Sequence, residues 1–85
     1  MSFRQIDPEK LINRLGMNVP LEVYENLIVL RKENTREIGV RVAHNFFVSH
    51  RADAKKVIND IRSKARELGL NARYNPKGTW LVISP

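Results

Sequence analysis

The chain has 85 residues, 42% of them hydrophobic, with no cysteine and a net charge of +6. That length predicts one domain over residues 1–85 with a modest core, and the missing cysteines exclude disulfides and thiolate metal sites as staples. No stretch approaches the ~20 apolar residues of a membrane span, and "MSFRQIDPEK" lacks the apolar centre of a signal peptide, so a cytoplasmic protein without a membrane partner is expected.

The first element is a short helix. Asp7 suits the cap, Pro8 the first helical position, and Glu9 complements the helix dipole. Ile6 and Leu11 are placed for a hydrophobic staple, Leu11, Ile12 and Leu15 form the inner stripe, and Gly16 is the stop. Residues 20–33, "PLEVYENLIVLRKE", carry both helical and strand spacings. From Ile38 to Val48 apolar and other residues nearly alternate, which predicts a long half-buried strand. A long strand needs a neighbour, and "LIVLRK" joined through "ENTR" supplies an antiparallel one. Residues 20–25 are therefore read as a short turn or helix that leads into a hairpin.

A second, longer helix is expected from about Arg51 to Leu68, capped by Ser49 and ended by Gly69. Ala54, Val57, Ile58, Ile61, Ala65 and Leu68 fall on one stripe. The last element is a hairpin around Asn75-Pro76-Lys77-Gly78, with Pro76 presetting φ and Gly78 taking the positive φ of a bulged turn. A three-residue loop pairs Asn75 with Thr79 and sets Tyr74 opposite Trp80, on one face with Ala72 and Val82. Arg73 then belongs to the other face with Leu81 and Ile83, where Arg41 would enlarge a basic patch if that face is wet. The fold class is α+β: a short N-terminal helix, an antiparallel β-hairpin, a long amphipathic basic helix and a C-terminal β-hairpin. The strands are expected to join in one four-stranded sheet covered on one face by the helix.

The charge is uneven. Residues 1–43 carry a net +1 and residues 44–85 a net +5, a balance that favours polyanions, chiefly nucleic acid, and acidic proteins. On the long helix Asp53, Asp60 and Glu67 recur every seven residues, and Lys56 and Lys64 each stand four residues from Asp60. Arg51, Lys55, Arg62 and Arg66 lie within about 60° of one another beside the apolar stripe, and no acidic residue stands three or four positions from any of them. Such a row suits phosphate tracking, since each cation that meets a phosphate releases counterions. The plainer reading is that these stems cover apolar surface with their heads in water, or that Glu33 or Glu37 on the hairpin neutralises them.

Candidate nucleic-acid-contacting residues are accordingly Arg51, Lys55, Arg62 and Arg66, with Arg73 and Lys77 as outer members. Lys77 is also what an exposed turn tip ordinarily carries. His44 shares parity with the apolar side of its strand and is expected to be buried. His50 opens the basic helix, and a ribonuclease reading would use it as acid/base with Arg51 or Lys55 as a clamp. No second catalytic group, glycine-rich phosphate loop, two-histidine motif or carboxylate cluster accompanies it. No catalytic residue, metal or cofactor is expected.

Two stretches resemble known DNA-binding patterns. "NVPLEVYENLIVLRKENTREIGVRVAHNFF" resembles the strand and two helices of a ribbon-helix-helix repressor, but the second helix would carry strand alternation and Gly39. "AKKVINDIRSKARELGL" with the hairpin after it resembles the recognition helix and wing of a winged helix, but this needs residues 20–48 to be helical. Neither is adopted. The expectation is a small non-enzymatic nucleic-acid-binding or regulatory protein that contacts the phosphate backbone with little sequence preference. The alternative is a protein-interaction module, an inhibitor or accessory subunit, that docks on an acidic partner. Homodimerisation through a hairpin edge is compatible with both.

Overall fold

The computed structural model describes residues 2–85. It opens with an element that the sequence reading lacks, strand β1 (Phe3–Ile6), followed by helix α1 (Pro8–Leu15). Asp7 caps α1 by accepting the Glu9 N–H at 3.0 Å. The helix closes at Gly16, whose φ of 66° lets Met17 N–H return to the Ile12 carbonyl at 3.2 Å. Helix α2 (Leu21–Tyr24) is the expected short turn, and strands β2 (Leu27–Lys32) and β3 (Ile38–Val42) form the expected hairpin.

Beyond Val42 the expected strand gives way to helix α3 (His44–Ser49). The alternation in "HNFFVS" misleads because Phe46 and Phe47 both pack toward the core from one helical turn. His44 is consequently exposed rather than buried. Ser49 ends α3, with Oγ 3.2 Å from the carbonyls of Asn45 and Phe46, and so does not cap the next helix. That helix, α4 (Arg51–Glu67), follows a break at His50, which makes no side-chain capping bond. Gly69 stops it at φ 83°, with Leu70 N–H bonded to the Ala65 carbonyl at 3.0 Å.

Strands β4 (Asn71–Tyr74) and β5 (Leu81–Ser84) complete a five-stranded antiparallel sheet in the order β1-β2-β3-β5-β4. The C-terminal hairpin differs from expectation by one residue of register. Asn75 N–H bonds the Trp80 carbonyl at 2.9 Å, and the Asn75 side-chain oxygen accepts from the Thr79 and Trp80 amides. Tyr74 therefore stands opposite Leu81, not Trp80. A slip of one residue moves side chains to the other face. Tyr74 and Ala72 thus share the helix-covered face with Leu81 and Ile83, while Trp80 and Val82 take the open face with Arg73.

The core lies between that covered face and the helices. Val40, Leu81 and Ile83 pack with Ala54, Ile58, Ile61 and Ala65 of α4 in one cluster, which Val29 of β2 and Leu11 and Leu15 of α1 complete. On the open face Gly39 makes room for the Trp80 indole, over which the Arg41 guanidinium lies at 5.3 Å. With strands over 27–42, neither the ribbon-helix-helix nor the winged-helix arrangement is present.

Candidate nucleic-acid interface

The basic row runs along the seam where α4 borders the edge strand β4, and the structure divides it. Arg62 and Arg66 each donate through Nε to the Ala72 carbonyl, at 3.3 and 3.2 Å. Arg62 also lies over the Tyr74 ring at 5.6 Å, and the Tyr74 hydroxyl reaches Asn59 Oδ1 at 2.7 Å. These contacts fasten the sheet's outer edge to the helix, which is one way to blunt an edge against pairing with another chain. They use Nε alone, so the terminal guanidinium nitrogens have no protein hydrogen-bond partner among the described residues.

The N-terminal half of the row is less engaged. The Arg51 guanidinium lies over the Phe47 ring at 5.6 Å, and Lys55 is exposed. Among the described residues the sole ion pair is Lys56–Asp60 at 3.7 Å. Neither Glu33 nor Glu37 neutralises the row, and Lys64 does not pair with Asp60. The net positive charge of the C-terminal half is therefore presented to solvent.

At Arg51 and Lys55 the seam opens into a groove of about 640 Å³ between α3, α4 and the tip of the last hairpin. Val40, Val42, Ile58 and Leu81 form its floor, and all four are buried. His44, Arg51 and Lys55 stand on its rim, with Tyr74 on the wall and Gly78 and Thr79 at the hairpin tip; Arg41 also lines it, but its guanidinium lies over Trp80 on the open face. No carboxylate lines it. Lys77 sits at the same tip, exposed, one residue from the groove wall. Arg73 does not join this surface, because its register position with Val82 puts it on the opposite face of the sheet.

Sequence reasoning missed the parts of the groove that depend on α3. Read as a strand, residues 44–48 would run on along the sheet. As a helix they bring His44 and Val48 to one side of the opening, at the i,i+4 spacing that was there to be read. Asn59 and Tyr74 could be joined only by knowing the hairpin register.

His50, the candidate acid/base, is exposed outside the groove. Its ring stacks on Phe46 with centroids 4.4 Å apart, and Ser49 Oγ lies 2.8 Å from Nδ1. Among the described residues no three His, Asp or Glu side chains come together to hold a metal ion, and no helix is long and apolar enough to cross a membrane. Away from the groove, the Tyr24 phenol is pushed above its ordinary value by burial and by the carboxylates of Asp7 and Glu9.

The chain matches no protein-family model, no curated protein and no solved structure.

Proposed function

We propose that this protein is a small, non-enzymatic nucleic-acid-binding protein that grips the phosphate backbone with little sequence preference. The carrying observation is the row Arg51, Lys55, Arg62 and Arg66, which reaches a cation-rimmed groove without a carboxylate in its lining. Arg51 and Lys55 are the principal contacts. Arg62 and Arg66 serve two ends, holding Ala72 through Nε and leaving their terminal nitrogens, which make no protein hydrogen bond among the described residues, for phosphate oxygens. Lys77 is an outer contact at the hairpin tip. Phosphate contacts position a protein on nucleic acid but do not specify sequence, so discrimination among sequences is weak.

A second reading, docking on an acidic protein, draws on a different surface. The open sheet face holds an apolar hollow of about 280 Å³, lined by Phe3, Leu30, Trp80 and Val82 beside Lys32 and Glu37. Arg41 and Arg73 stand on the same face.

Fluorescence anisotropy separates the two. Labelled DNA and RNA oligonucleotides are titrated with the protein at low salt, and poly-glutamate is then added as competitor. The nucleic-acid reading predicts saturable binding that poly-glutamate displaces only in large excess. Absence of binding to every oligonucleotide at low salt overturns it and leaves the acidic-protein reading ahead.

A further inference from the structure

We infer that the groove at the N-terminal end of the basic row receives an unpaired nucleobase, so that the protein prefers single strands to duplex. The inference rests on the nucleic-acid reading and adds to it the form of the ligand. Three features of the groove carry it.

The first is the mismatch between rim and floor. Three basic side chains, His44, Arg51 and Lys55, border an apolar interior made by the buried floor of Val40, Val42, Ile58 and Leu81 together with the exposed side chains of Val48 and Tyr74. A duplex presents charged backbone outward and hides its bases, so it would meet the rim and leave the exposed apolar part of the groove, at Val48 and Tyr74, uncovered. A splayed nucleotide carries a phosphate and a flat apolar ring together, and so satisfies both.

The second is that the aromatic wall is already held in place. Tyr74 is 38% exposed, its hydroxyl is tied to Asn59, and Arg62 lies over its ring. Phe47 lines the same groove with Arg51 over its ring. A ring fixed before binding loses little freedom on contact with a base.

The third is the sign of the lining charge. With no carboxylate in the groove, the field that draws a phosphate to the rim is not cancelled at the floor.

Phosphate contacts alone favour duplex, because its charge density is greater and each neutralised phosphate releases more counterion (salt slopes of about 0.9 against about 0.7 per contact). A preference for single strands must therefore come from the bases. The test is anisotropy with the full chain, at one salt concentration, on a labelled single strand and on the blunt duplex of the same sequence. The expected result is single-strand binding tighter by about fivefold or more, the lower end of what one stacked base supplies.

Val48→Asn supplies the second measurement. Val48 is 61% exposed on the groove lining, so the fold tolerates the change, and no charge is altered. It should weaken single-strand binding by about threefold and leave duplex binding unchanged. Duplex bound as tightly as single strand, or Val48→Asn weakening both equally, overturns the groove inference while the nucleic-acid reading stands. Binding to neither overturns both.

Discussion

Arg62 donates through Nε to the carbonyl of Ala72, ten residues on, and so ties the long helix to the outermost strand of the sheet. Arg66 shares the same acceptor. The row that looks in sequence like one uniform basic stripe is therefore two devices. One half secures an edge that would otherwise be open, and the other half faces the groove unpartnered by any carboxylate.

That division predicts separable effects on stability. Arg62→Ala with Arg66→Ala removes both donors to Ala72 and should destabilise the protein by about 1–2 kcal/mol, a discounted value because both bonds are partly solvated. Arg51→Ala with Lys55→Ala should change stability by no more than about 0.5 kcal/mol. Urea unfolding of the two double variants checks this, and equal losses would contradict the division.

Gly39 and Trp80 are a second coupled pair. A Cβ at Gly39 would lie 3.1 Å from Cε3 of the indole, closer than a carbon there can comfortably sit. Gly39→Val should accordingly cost about 1–3 kcal/mol through overpacking. In a Trp80→Leu background the same substitution should cost much less, because the obstructing ring is gone. A double-mutant cycle by urea unfolding measures the coupling.

Tyr24 predicts a pH effect at the alkaline end. Its raised value means that the folded protein favours the protonated phenol. The stability it contributes is fully present below the unfolded value of 10.0 and is lost as pH rises through the folded one. Denaturation midpoints should fall above pH 10, and Tyr24→Phe should remove this residue's share of the decline. A decline identical in the variant would contradict the assignment.

Much of the architecture can be read directly from the residues. The capping set Asp7-Pro8-Glu9, the stops at Gly16 and Gly69, the apolar stripe of the long helix and the turn residues at 33–36 and 75–78 all act locally, and local chemistry determines them. What escapes reading depends on distant partners. Strand β1 is four mostly exposed residues with no pattern of their own, formed by pairing with β2. Residues 44–49 alternate like a strand but have no continuing neighbour, since β5 pairs with β3 only over Ile38–Val40, and so the chain coils into α3. The Trp80 face hangs on one side chain, Asn75, whose bonds to Thr79 and Trp80 lengthen the loop by a residue. For the site, charge spacing located the row on α4. The groove beside it needed α3 and the hairpin register.

The central claim is that Arg51 and Lys55 meet phosphates, and the salt dependence of duplex binding tests it most directly. Anisotropy is followed from roughly 50 to 200 mM salt for the wild type and for Arg51→Ala/Lys55→Ala. Affinity should fall linearly on a log–log plot, and the double variant should be shallower by about 1.8, two contacts at about 0.9 each. A variant with the wild-type slope, or a wild type that binds no duplex or single strand at the lowest salt, would contradict the account.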